Sequence, residues 1–577
     1  MYIRGTKVRR KDGSVDEYLR LVESFRDQGG KVRHHIVCNI GRKELLAPFA
    51  DSLVAALKGE PRKQTGGEEV AAWDWGVFLA VRHIWQELGI EEILDGLDGG
   101  GKNRGEFSDR ALVLIANRFC NPTSEHGLAR WLETDYVCNR KGERYLPQWR
   151  DDAERLRSKL PRVRVRPGQL QQWYRTLDKL LEHKERIEEQ VFIRLRTLFS
   201  IKVDLVFFDI TSTYFEGHGP AKLGKHGHSR DGKPRNRQVV VGVLMVDGWP
   251  IAHYAFPGNR RDSTTVQEVI RNAQKRFGLR RIIFVGDRGM VTCDNLEFLV
   301  NEGHGYLVGL QRRKREEVID YINRATGRWQ RCPMGIAAQE KSVPPETLVQ
   351  EVSSNEPGVR VFVVHSDERM EYEQAQREKC MRLVKDDLEA LKRRVEKGQL
   401  KSPEKIGAAA QSALNRHHGC RYFDWKLEKG RFSFFEHPVN LVREKAIEGK
   451  YIIQTQEANL SPVQAVEIYK ELNEVERGFR SVKDIIEMRP IFHKTDQRVE
   501  AHIFVAALAL LIHRAIEKRL KGAGLDFSTD EACNILKTVR LVEFLDNEKT
   551  KRVSVTNGSA RAPAIINALA IKSKSPL

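Results

Sequence analysis

Leu205-Val206-Phe207-Phe208-Asp209 and Ile282-Ile283-Phe284-Val285-Gly286-Asp287 are two apolar runs, each closed by an aspartate. Runs this apolar read as buried strands of an α/β sheet. In such sheets ligand sites gather at strand ends, where these carboxylates stand. A single aspartate in this position more often caps a turn. Two on neighbouring strands can hold a divalent cation through oxygen ligands. A third carboxylate comes from a helix starting at Ser461-Pro462, a good N-cap with proline at the first helical position. There Tyr469, Leu472, Val475, Glu476, Phe479, Val482 and Lys483 follow i, i+3, i+4, i+7 spacing. Glu476 therefore reads as on or beside the buried stripe, where a lone carboxylate needs a metal or a cation. Tyr469 and Lys483, seven residues either side, share its face. The competing reading is an i,i+4 pair of Glu476 with Arg480 at the margin of the stripe. Three carboxylates together would make a two-metal site for in-line phosphoryl transfer.

Around the two runs the pattern is β-β-β-α-β-α-β. A strand ends at Asp209, and a loop rich in Gly, Lys and His spans 217–237. Apolar strands follow at 239–246 and 251–256, then a helix at 263–277. The strand ending at Asp287, a helix at 295–301 and a strand at 306–310 complete it. This is an α/β layer in the order of an RNase H-like sheet, the particular fold being an analogy. The rhythm breaks over 311–450. That stretch holds a highly charged helix, 367–397, and strand-like segments at 360–364, 422–427 and 431–435, and it reads as a separate β-rich insertion. The α/β pattern resumes at Tyr451-Ile452-Ile453. The expected divisions are an N-terminal short-strand region (1–60), a helical DNA-binding region (69–195), the core in two parts (200–310 and 451–525) flanking the insertion, and a C-terminal tail (526–577). Within 69–195 the segment from Arg150 to Arg166 is arginine-rich. On periodicity alone the region could equally be a helical scaffold with a solvated charged face.

Such a length exceeds one hydrophobic core: the chain has 577 residues. Its formal net charge is +19, from 98 Lys and Arg against 79 Asp and Glu. That excess favours polyanions through counterion release. Eight cysteines are scattered without a C-x-x-C pair, which argues against a zinc ribbon and for free thiols in a reducing cytosol. The first ten residues have no apolar signal core, and the most apolar helix, near Ile503 to Ile512, reads as a core helix and not a membrane span. Gly96-Leu97-Asp98-Gly99-Gly100-Gly101-Lys102-Asn103 nearly matches a phosphate loop, but has Asn for the metal-binding hydroxyl and follows a helical pattern, so it reads as a turn.

The words Phe208-Asp209-Ile210-Thr211-Ser212-Thr213-Tyr214-Phe215-Glu216-Gly217, Gly286-Asp287-Arg288-Gly289-Met290 and Val475-Glu476-Arg477-Gly478-Phe479-Arg480 before Met488-Arg489-Pro490-Ile491-Phe492-His493 resemble those of DDE transposases. The resemblance is to the insertion-sequence 4 group, in the branch typified by insertion sequence 1634. Tyr469-x2-Leu472-x3-Glu476-x6-Lys483 resembles its Y-x2-R-x3-E-x6-K signature, with leucine in place of the arginine. It implies an RNase H-like core and Mg²⁺, with Mn²⁺ as a substitute, held by Asp209, Asp287 and Glu476. It further implies cleavage and strand transfer on double-stranded DNA, namely terminal inverted repeats and target. The expected setting is a homodimer on nucleoid DNA in a bacterial or archaeal cytoplasm, without membrane. Tyr469, Lys483, Arg477, Arg480 and Arg288 are the expected phosphate contacts. Trp425 is either a platform for a flipped base or part of the insertion's own core. Lys222, Lys225, Arg230, Lys233, Arg235 and Arg237 either follow the DNA backbone or form a mobile hairpin tip. His218, His226 and His228 lack a clear zinc-ligand spacing. The alternatives are an RNase H-like nuclease without strand transfer and a catalytically inactive DNA-binding derivative.

Overall fold

The computed structural model describes residues 2–9, 15–26, 29–42, 68–98, 105–146, 168–199, 205–286, 289–290, 292–310, 316–333, 345–484, 488–545 and 551–576. Strands β1 (Tyr2–Arg9), β2 (Val15–Arg26) and β3 (Val32–Arg42) form an antiparallel meander. Gly30 lies between β2 and β3 at φ 79°, a conformation open to glycine at little cost. After β4 (Glu68–Asp74) the chain turns helical, as its periodicity predicts: α1 (Gly76–Glu87), α2 (Ile90–Leu97), α3 (Glu106–Cys120), α4 (Leu128–Thr134), α5 (Gln169–Glu182) and α6 (Lys184–Phe199). The arginine-rich segment 150–166 and residues 99–103 of the near phosphate loop lie outside the described residues.

Next come β5 (Leu205–Tyr214), β6 (Gln238–Val246), β7 (Trp249–Pro257), α7 (Val266–Phe277), β8 (Ile283–Gly286), α8 (Cys293–Asn301) and β9 (Gly305–Gly309). This is the β-β-β-α-β-α-β order expected from the sequence. β5, β6 and β7 pair antiparallel, while β8 and β9 run parallel to β5. Every residue of β6 is buried, as its run of valines requires of a strand covered on both faces. Gly278, left-handed at φ 64°, closes α7, and the Thr292 side chain caps α8 by accepting from the Asn295 amide.

The stretch 311–450 departs from a separate β-rich insertion. After α9 (Glu316–Arg324), β10 (Gln330–Arg331), β11 (Thr347–Val352) and β12 (Arg360–Ser366) extend the core sheet itself, through β15 (Lys450–Thr455). The full order is β10-β11-β12-β15-β9-β8-β5-β6-β7. Between β12 and β15 the chain is mainly helical: α10 (Asp367–Glu396), α11 (Pro403–Arg416) and α12 (Pro438–Ile447). One hairpin, β13 (Phe423–Glu428) with β14 (Arg431–Glu436), accompanies them. Val384, Leu388, Ile406, Leu414, Phe423 and Phe432 make a small core of their own there. The physical reason is visible in β12. Val361, Phe362, Val363 and Val364 are all buried, more apolar surface than a two-stranded hairpin covers, and the large sheet covers it.

α13 (Pro462–Asp484) lies across β5, β8, β9, β11 and β15, and packs against α14 (Asp496–Gly522). α14 is apolar enough over sufficient length to cross a membrane, but 89% of that window is buried inside the protein against α3, α5 and β7. It is a core helix, as expected. α15 (Thr529–Leu536), β16 (Arg540–Leu545), β17 (Lys551–Val555) and α16 (Ala562–Ala568) end the chain. β16 lies between β17 and β4 in a second small sheet. The tail read as 526–577 therefore divides. Residues 540–556 join 1–73 in one compact unit, and 74–539 with 557–577 form the other.

Candidate functional site

β5 does not stop at Asp209. It continues to Tyr214 and pairs along that whole length with β6, Asp209 opposite Val243. On its other edge the ladder with β8 ends at Phe207 and Val285. Asp209 thus stands two residues past the last parallel pair, on the edge of β5 that faces β8. It is half-buried, and its Oδ1 accepts the Ile210 amide at 2.7 Å. β8 ends one strand away at Gly286. Asp287 and Arg288, next in the chain, lie outside the described residues.

Glu476 corrects the expected burial. Leu472 and Phe479, on the same helical face, are buried, yet Glu476 between them is exposed. The carboxylate therefore reaches solvent from a face whose flanking residues are covered. The helix crosses both β5 and β8. Leu472, where the resembled signature has arginine, is 4% exposed, and its apolar side chain suits that place.

Tyr469 and Lys483 do not converge. Fourteen residues separate them, about 21 Å along a helix. Tyr469 stacks on Tyr451 with ring centroids 5.9 Å apart, and its hydroxyl lies against Gly309 of β9. At the other end, Lys483 Nζ donates to Asp231 Oδ1 at 2.8 Å, and Arg489 donates to the same oxygen at 2.6 Å. Burial pushes the Lys483 ammonium down from its ordinary value, while Asp231 works the other way. Arg477 and Arg480 are exposed. Trp425 stacks on Phe432 and packs against the insertion's small core beside Gly407, the second of its two readings.

The basic loop is held to β5. Ser212 Oγ donates to the His228 carbonyl at 3.2 Å and accepts the Arg230 amide at 3.0 Å. Asn236 donates to the Phe215 carbonyl, and Lys225 bridges to Gln238. Lys222, Lys225, Lys233 and Arg235 are exposed, while Arg230 pairs with Asp262 at 2.6 Å. Asp262 is also the neighbour of Gly289, its carboxylate 3.6 Å from where a Cβ would stand. Asp231, Asp262 and Arg489 are absent from the sequence-derived site. The signal for Asp231 was available: it is the single acidic residue between Glu216 and Gln238.

Among the described residues, one group of three has metal-ligand proximity, and it is not in that loop. Ligand atoms of Glu125, His493 and His502 lie within 4.8 Å of one another. Arg118 stands 3.9 Å from the Glu125 carboxylate, however, and its positive charge opposes a cation there. Burial would raise the Glu125 carboxyl, but His493 and Arg118 hold it below its ordinary value. For a hard divalent cation, the half-buried Asp209 and the exposed Glu476 offer the oxygen donors it prefers.

No relative among curated proteins matches the chain. One solved structure that aligns is a Mos1 transposase paired-end complex with left transposon end, at 13% identity, over 36% of this chain and with a TM-score of 0.14. The chain spans 60% of the length of that structure's chain. The family described as "IS1634 family transposase, N-terminal domain" matches residues 3–69, which run from the second residue of β1 through β2 and β3. "Transposase DDE domain" matches residues 204–512, from the start of β5 into α14 and thus over more than half of the sequence. With both matches in register with these elements, the chain belongs to the DDE transposases of the IS1634 family.

Proposed function

We propose that this protein is a DNA transposase with an RNase H-like core, which binds transposon ends, cleaves them and joins them to target DNA by cut-and-paste. The observation that carries the reading is the crossing of α13 over β5 and β8, with Glu476 exposed between two buried neighbours and above the strands that lead to the two aspartates. Asp209, Asp287 and Glu476 would hold Mg²⁺, or Mn²⁺ in its place. The metal, when bound, supplies Lewis-acid charge and lowers the pKa of a bound water or 3′-hydroxyl. The protein's own part is to fix the phosphodiester: Lys483 as a point charge, with the exposed Arg477 and Arg480 beside Glu476 and Arg288 beside Asp287. The exposed lysines of the 217–237 loop follow the DNA backbone. Two ends are held by two copies of the chain, since two-fold pairing is the simplest way to hold two like ends. The helical region 74–199 contributes to end recognition, in a cytoplasm and on nucleoid DNA.

The test uses DNA carrying the gene's own flanking sequences, incubated with wild type and Asp287→Ala, in Mg²⁺ and in EDTA. Cut and joined products with wild type in Mg²⁺ alone support the reading. Cutting without joining favours an RNase H-like nuclease. Binding without cleavage by a folded wild type, over a range of end sequences, favours an inactive DNA-binding derivative.

A further inference from the structure

The carboxylate that meets Lys483 comes from an unexpected place. Asp231 is the one acid in a loop of basic residues, and its side chain is 3% exposed. A single oxygen, Oδ1, accepts from both Lys483 and Arg489. The other oxygen is buried with no hydrogen-bond partner among the described residues, a cost that a purely structural ion pair has no reason to carry. Exposure rises outward through the cluster, from 3% at Asp231 to 11% at Lys483 and 28% at Arg489. The carboxylate is therefore the floor, and the cations lie between it and solvent.

We propose that Asp231 is a positioning residue that gathers Lys483 and Arg489 into a two-cation clamp for one DNA phosphate beside the cleavage site. The inference rests on the transposase reading above and adds to it a group that touches no DNA itself. The clamp is also tied to the site. Asp231 follows Arg230, whose amide is held by Ser212 three residues beyond Asp209 on β5. Lys483 is seven residues beyond Glu476 on α13, so one carboxylate couples the strand of the first acid to the helix of the third. Without it, two like charges would converge on a half-buried place and lose the carboxylate that they share. Burial would then favour loss of the Lys483 proton, which Asp231 at present opposes, with Arg489 and Arg230 as the other charges facing it.

The experiment is a phosphate-neutralisation scan on end DNA, without divalent metal so that binding is read alone. Each phosphate near the cleavage site is replaced in turn by a neutral methylphosphonate, and Kd is measured. In wild type, one position should weaken binding about tenfold, as loss of one charge-assisted hydrogen bond would. Asp231→Asn, Lys483→Met and Arg489→Met should each abolish sensitivity at that same position and keep it elsewhere, and Asp231→Glu should restore part of it. General loosening of the fold would lower all positions together and would not select one. An Asp231→Asn profile identical to wild type overturns the clamp while leaving the transposase reading intact. If Asp231→Asn does not fold, the two cation variants decide: sensitivity lost at two different phosphates overturns the proposal, and at one shared phosphate supports it. A wild type that binds no end sequence overturns both readings.

Discussion

The hydroxyl of Tyr469 rests on the bare backbone of Gly309, so that a methyl group on that glycine would overlap it. The ring carbon bearing the hydroxyl would stand only 2.8 Å from the added Cβ. Gly309→Ala should therefore push α13 off β9 and cost about 1–3 kcal/mol of stability, as overpacking does. Tyr469→Phe keeps the stack on Tyr451 and removes the overlapping oxygen, so it should recover part of the loss. Urea unfolding of both single variants and the double variant gives the coupling. Strictly additive costs would show that the two residues are not in contact.

The proposed course of the 217–237 loop along the DNA backbone predicts a salt signature. Lys222, Lys225, Lys233 and Arg235 are exposed on a loop fixed to β5. Replacing any two of them by glutamine should reduce the slope of log K against log salt by about 0.9 per lost contact. Affinity measured from low to moderate salt is the check. An unchanged slope with unchanged affinity would place the loop away from DNA.

Arg140 is the hub of the helical region. Its guanidinium lies 2.5 Å from Asp95, 3.1 Å from Asp109 and 3.4 Å from Glu91, all three carboxylates mostly buried. Arg140→Ala leaves three acids facing one another, and the expected loss is about 3 kcal/mol. A chemical-denaturation midpoint within error of wild type would refute it.

His513, in the middle of α14, has neither ring nitrogen hydrogen-bonded among the described residues. Burial, with Arg514 adding and Glu517 opposing, takes it down from 6.5 to about 4. Below pH 6.5 the unfolded chain takes up this proton first, so stability falls as pH drops toward 4. The loss amounts to on the order of 3 kcal/mol by the lower limit. His513→Leu should flatten that part of the curve, which melting temperatures between pH 7 and 4.5 measure. An unaltered pH slope would count against it.

What could be read from the sequence was set by how local its cause is. β5, β6 and β8 are continuous apolar runs, and their order survives in the sheet. β11, Thr-Leu-Val-Gln-Glu-Val, was not visible: it is half polar, and only pairing with β12 makes it a strand. The placement of Asp209 within β5, not at its end, depends on where β8 stops, a fact about a neighbour and not about the run itself. Helical spacing set Glu476 on the face of Leu472 and Phe479, but that it is exposed while they are buried is a tertiary matter. The same holds for Lys483, which faces a carboxylate some 250 residues earlier in the chain.

The small sheet that sets β16 between β4 and β17 bears on synthesis. β4 leaves the ribosome early, but its neighbour begins at Arg540, more than 460 residues later. At roughly 5–20 residues per second, that is about 20 to 90 seconds during which β4 presents an unsatisfied edge. The unit carrying the IS1634-type N-terminal domain is thus finished only when nearly the whole polypeptide has been made. Truncated products that end before Arg540 would carry β4 without the strand it pairs with.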